Sequence, residues 1–128
     1  MIARQKLFSV SLFGVAAFLL FWWPLSHWFY YAWYNDLLGF TFSATNDGLV
    51  KMVGTCGLLP VLALAALALR PKKNGPLVAA LSVFSFFLAL TFLFLVGRGD
   101  FPRGELINVF LTGGLAVGLP VFYRWSTR

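Results

Sequence analysis

Four stretches of this chain run almost without a charged side chain for the length that a helix needs to cross a bilayer. They extend from Leu7 to Trp23, Leu49 to Leu69, Leu77 to Val96 and Leu106 to Tyr123, and Lys51 is the one charged residue inside them. Crossing about 30 Å of hydrocarbon takes roughly 17–25 apolar residues in a helix. A membrane β-barrel would show shorter segments that alternate polar and apolar. Hydrocarbon offers no partner to a backbone N–H or C=O, so a continuous apolar run must close its hydrogen bonds within itself, as a helix. The expected fold is all-α: one polytopic membrane domain over residues 1–128, with four transmembrane helices.

Composition closes off the other classes. Hydrophobic residues make up 60% of the 128 and charged residues 11%, against about 25% charged in a soluble domain. So few charges cannot cover a soluble surface, which excludes a soluble enzyme and a disordered chain. The net charge of +6 does not indicate nucleic acid, because the basic residues stand in twos and threes between apolar runs instead of on one contiguous face. Cys56 is the single cysteine, so neither an internal disulfide nor a Cys-x-x-Cys relay can form.

The basic residues carry an orientation instead. Arg4, Lys6, Arg70, Lys72, Lys73, Arg124 and Arg128 fall on one side of the four spans. Lys51, Arg98 and Arg103 fall on the other side with all four acids, Asp36, Asp47, Asp100 and Glu105. The excess of Lys and Arg on cytoplasmic loops then places both termini in the cytoplasm. Phe21-Trp22-Trp23-Pro24 is not a small-x-small cleavage site, so the first span is expected to stay as a helix. The lack of glycosylation sequons fits a bacterial inner membrane.

Between spans, Pro71 to Pro76 reads as a tight turn, and Gly97 and Gly99 as the stop of the third helix. Thr45, Asn46 and Asp47 are cap-type residues ahead of the second span, with Asp47 one turn from Lys51. Pro60 is expected to kink that span. Arg98-Gly99-Asp100 spells an adhesion tripeptide, but its surroundings already give it a turn to make.

Residues 24–48 form the one long connection, and aromatic residues crowd its first half. Trp22, Trp23, Trp28 and Trp33 stand there with Tyr30, Tyr31 and Tyr34. Rings with a polar edge settle at the headgroup layer. The expected structure is a short interfacial helix from about Ser26 to Leu38, closed by Gly39. As a shelf of rings, Trp22, Trp23, His27, Trp28 and Trp33 are the candidate ligand-binding residues, for a quinone, lipid, carotenoid or pigment.

Other chemistry is sparse. His27 is the single histidine, and one imidazole cannot supply paired haem ligation. Its alternatives are a pigment ligand, a proton-transfer group or an interfacial polar residue. No spacing suggests a metal site, no set of residues suggests a catalytic centre, and Cys56 reads as a small buried hydrophobe. No carboxylate falls in the middle of a span, which argues against proton-coupled export. Gly54 and Gly57 on the second helix and Gly114 and Gly118 on the fourth are the candidate helix-packing positions, within the bundle or against another subunit. The phenylalanines of the third span go all round it, which suits lipid or a hydrophobic partner.

The chain resembles the DoxX-like group of small four-helix membrane proteins in several features. These are Pro24 after the first helix, Leu37-Leu38-Gly39-Phe40, the opening Leu49 to Gly57 of the second helix, and the basic turn Arg70 to Lys73. Members associate with redox or quinone-linked membrane complexes, so the resemblance implies an accessory role. The leading expectation is thus a non-catalytic accessory or assembly subunit of a larger, bioenergetic membrane complex, partnered by other membrane subunits or by copies of itself. The alternative is a small membrane protein that holds a hydrophobic ligand at its aromatic shelf. A transporter comes third.

Overall fold

The computed structural model describes residues 2–40 and 47–128, apart from the side chains of Ile2 and Asp47. Seven α-helices and two short irregular turns make up these residues, and no strand occurs among them. Helix α1 (Ile2–Leu20) continues through a π-turn (Phe21–Leu25) into α2 (Ser26–Phe29), and α3 (Tyr31–Leu38) follows. Helices α4 (Asp47–Cys56) and α5 (Leu58–Leu69) form the second span and α6 (Gly75–Arg98) the third. A 3-10 turn (Arg103–Glu105) leads into α7 (Leu106–Thr127). Four stretches are long and apolar enough to cross a membrane: Ala3–Phe29, Gly48–Leu69, Gly75–Arg98 and Arg103–Thr127. The chain is an all-α bundle of four membrane-spanning helices.

Local chemistry explains the breaks. Pro24 has no N–H to give the helix, and the chain widens into the π-turn around it. The Ser26 hydroxyl lies 2.7 and 2.9 Å from the Trp22 and Trp23 carbonyls and shares its hydrogen between them at the end of the π-turn. Pro60 cannot donate to the carbonyl of Cys56, and the second span is interrupted at Gly57, three residues earlier. Gly39 and Gly99 take left-handed φ values of 86° and 78° and close α3 and α6. Arg98 pairs with Asp100 across Gly99 at 3.1 Å, so this tripeptide makes a helix stop.

The aromatic segment departs from the expected single helix over 26–38. Tyr30, at φ −140° and ψ 42°, divides it: α2 prolongs the first span, and α3 is a separate helix closed by Gly39. The Tyr30 hydroxyl donates to the Phe21 carbonyl at 2.7 Å, which holds the bend. The proposed caps Thr45 and Asn46 lie outside the described residues, as does the Asp47 side chain with its pairing to Lys51.

In the bundle α1 packs chiefly on α5 and α6 on α7, with α1 also against α7. The dry core lies toward the chain termini. Phe8, Leu12 and Ala16 of α1 meet Val61, Leu64, Leu67 and Ala68 of α5, together with Val78 and Leu81 of α6 and Leu119 of α7. The outer faces remain apolar, as a surface against lipid requires: Val10, Leu62, Phe87, Phe110 and Val117 are all well exposed. The other end of the bundle, remote from the termini, is built differently.

Candidate functional site

At this distal end the four spans do not close on a hydrophobic core. They surround a cavity of about 330 Å³, at the lower end of the range for small-molecule sites. Its rings come from three places: Trp22 and Trp23 from the π-turn, Tyr31 and Tyr34 from α3, and Phe92 and Phe101 from α6 and the turn after it. The break at Tyr30 matters here, because a straight continuation of α2 would not bring Tyr34 back over Trp22. Those two rings meet edge to face with centroids 5.4 Å apart. Phe101 closes the far wall, in contact with Phe40 at 5.3 Å and Phe92 at 6.4 Å.

A polar cluster forms one side of this cavity, and Asn108 is its hub. The Trp22 indole donates to Asn108 Oδ1 at 2.7 Å. An indole N–H can only donate, so this bond fixes which end of the amide is oxygen. The Asn108 amide nitrogen then donates to Glu105 Oε2 at 2.6 Å and to the Tyr34 hydroxyl at 3.1 Å. Both of its hydrogens are used, and four elements are tied together through one side chain. Glu105 is only 4% exposed, Asn108 6% and Tyr34 7%. Burial pushes the Tyr34 phenol well above its usual range, so it stays neutral as a hydrogen-bonding group.

Asn35, on the next position of α3, is equally buried and lines the same cavity. Its Oδ1 has no hydrogen-bond partner. An orphaned buried carbonyl is uncommon, since leaving one unpaired costs about 1–3 kcal/mol. His27 completes the lining from α2. Its Nδ1 lies 2.9 Å from the Trp23 carbonyl, which can only accept, so Nδ1 carries hydrogen. The ring packs at 5.1 Å against both Tyr31 and Tyr34.

Close backbone approach holds the far side in place. A Cβ on Gly54 would stand 2.7 Å from His27 Cβ, and one on Gly57 would stand 2.8 Å from the Trp23 ring. Only glycine lets the second span come this near to the π-turn. Gly104 meets the backbone of Leu38 more closely still, which docks the 3-10 turn against the end of α3.

The expected shelf of rings therefore divides. Trp22, Trp23 and His27 face the cavity, whereas Trp28 and Trp33 do not, and each of the latter is 47% exposed. Trp28 donates to Thr55 Oγ1 at 3.1 Å and lies 5.7 Å from Lys51 Nζ; Trp33 packs on Phe21 and Tyr30. Both therefore have neighbours along the outer surface of the bundle.

Three further readings need correction. Gly114 and Gly118 have nothing within 4 Å of an added Cβ, so they do not pack helices inside the bundle; they line an open groove between α1 and α7. Cys56 is exposed, at the mouth of an apolar groove between α5 and α6. Glu105, read as an acid of an outer loop, is buried, so an ionisable group does lie inside the bundle.

Glu105, Asn108, Tyr34 and Asn35 are the residues that sequence reasoning missed. A signal existed for two of them. Asn108 is the most polar residue within the fourth span, and Glu105 precedes it by three positions, the spacing of neighbours on one helix face. Among the described residues no group of three His, Cys, Asp or Glu is placed to hold a metal ion. Comparison with family models, curated proteins and solved structures finds no match to the chain.

Proposed function

We propose that this chain is an integral membrane protein that binds a lipid-soluble, ring-bearing small molecule in its distal cavity and does no chemistry on it. One observation carries the reading. The cavity combines aromatic walls with a buried, hydrogen-bonded polar side, the pattern of a site that orients a ligand with an apolar body and one polar end. A packed structural core would fill such a space with side chains. The distribution of Lys and Arg supports cytoplasmic termini, with the cavity toward the outer leaflet, and the lack of glycosylation sequons supports a bacterial inner membrane.

The test is purification from native membranes in an uncharged detergent, followed by solvent extraction and mass spectrometry. The expected result is one defined small molecule (a quinone, carotenoid, pigment or other ring compound) near one per chain. It should be lost when Leu88→Trp fills the cavity. Lipid background alone, equal in both proteins, would overturn the reading. The accessory-subunit reading keeps one supporting observation, the exposed Phe84, Phe86, Phe87 and Phe94 of α6. A defined set of membrane subunits in the same preparation would favour it.

A further inference from the structure

From the same cavity, and resting on the binding reading above, we infer the class of its ligand: an organic cation, with a quaternary or protonated nitrogen on an apolar body. The recognising groups are the Glu105 carboxylate and the rings around it. Glu105 is 4% exposed and forms no ion pair among the described residues. No lysine or arginine lines the cavity among them either. Arg103, two residues away, is exposed and turned out of it. Asn108 supplies one hydrogen bond to Oε2, which is not a countercharge. A buried carboxyl either holds a proton or faces an opposite charge, and a cationic ligand would supply that charge here.

The rings point the same way. Trp22, Trp23, Tyr31, Tyr34, Phe92 and Phe101 all border one small space. Aromatic faces attract cations, most strongly where water is excluded, and cages of rings are a recurrent site for alkylammonium groups. The unpartnered Asn35 Oδ1, buried in the same wall, is an acceptor placed for an N–H or for the polarised C–H of an alkylammonium. Glu105 also begins α7, where the helix dipole favours negative charge. An anionic ligand would face the Glu105 carboxylate with no lysine or arginine in the lining to offset it.

The experiment compares benzyltrimethylammonium with its uncharged isostere neopentylbenzene, in which carbon replaces the nitrogen. Both are titrated by calorimetry into the intact protein in dodecyl maltoside, an uncharged detergent without amines. The expected result is saturable binding of the cation at least about tenfold tighter than of the hydrocarbon. Glu105→Gln keeps the shape and the bond from Asn108; it should weaken binding of the cation at least about tenfold and so remove that preference. A helical ellipticity and elution volume equal to those of the native protein show the variant to be folded. Equal affinity for the two probes, unaffected by Glu105→Gln, would overturn the cation inference and leave the binding reading intact. Binding of neither probe would overturn the cation inference, and the binding reading then stands or falls on the extraction from native membranes. Dihexanoyl phosphatidylcholine as competitor then identifies the source. Displacement assigns the cation to a lipid headgroup, and its absence assigns it to a free amine.

Discussion

Replacing Asn108 with leucine tests the hub on which the distal end depends. The substitution keeps the side chain close to its native size while removing the bonds to Trp22, Tyr34 and Glu105 at 2.7, 3.1 and 2.6 Å. In membrane bundles a single interhelical hydrogen bond contributes on average about 0.6 kcal/mol and at most about 1.7. Two of the three, to Trp22 and Tyr34, are interhelical and give about 1 kcal/mol on the average value. The Trp22 N–H and the Glu105 carboxylate would also be stranded in a buried space, where an orphaned polar group costs about 1–3 kcal/mol. Water entering the cavity can satisfy part of that demand, so the expected loss is about 2–3 kcal/mol. Equilibrium unfolding in mixed micelles, followed by tryptophan fluorescence and helical ellipticity, would measure it. A double-mutant cycle with Trp22→Phe should return a coupling of about 0.6–1.7 kcal/mol for the shared bond. A leucine variant within about 0.5 kcal/mol of the native protein, with no coupling to Trp22, would refute the claim that this network ties the π-turn, α3 and α7 together.

Three more outcomes follow from the packing. Gly54→Ala drives a Cβ to 2.7 Å from His27 Cβ and should destabilise the protein by about 1–3 kcal/mol; Gly118→Ala meets nothing within 4 Å and should be neutral or gain up to about 1 kcal/mol in the same titration. Cys56→Phe should leave stability within about 0.5 kcal/mol, because an exposed side chain has room to grow; a larger loss would restore the buried thiol. Burial raises the Tyr34 pKa in the folded protein above its unfolded value of about 10, so the stabilisation is complete below that pH and is lost as pH rises toward the folded value. A fall in unfolding free energy beginning near pH 10 should shrink in Tyr34→Phe, and an identical pH dependence in both proteins would contradict the placement of that phenol.

The four spans were legible because a span announces itself over many residues: hydrocarbon selects against every charge along its length, and the sum is unmistakable. The turns were legible because Gly39, Gly99, Pro71 and Pro76 each impose a backbone constraint that needs no knowledge of the fold. Orientation of a face was not. In water, an apolar residue reports the inside of a protein; in lipid, both sides of a helix are apolar, and the pattern loses that meaning. So Cys56 reads as buried and is exposed, and Gly114 and Gly118 make no close contact within the chain, whereas Gly54 and Gly57, with the same chemistry, lie against His27 and Trp23. Glu105 was misplaced for a related reason. It stands in a turn with Arg98, Asp100 and Arg103, and only the tertiary approach of Leu38 to Gly104 turns this one charge inward.

The irregular positions share one end of the bundle. The π-turn at Pro24, the bend at Tyr30 and the break at Gly57 all lie in the distal half, while the core from Phe8 to Leu119 is built from helices that run on without a break, α7 carrying Pro120 within it. Each irregularity gives up part of a hydrogen-bond ladder in an environment where no solvent replaces it, and side-chain hydroxyls bond to the backbone at two of them: Ser26 at the π-turn, Tyr30 at its own bend. A bundle needing only to span the membrane would have no use for them. Their joint effect is to hold Trp22, Trp23 and His27 on one side of a space that Tyr34, Asn35 and Glu105 enter from the other. The departures from ideal helix are the means by which an otherwise apolar chain gathers its few polar side chains around one cavity.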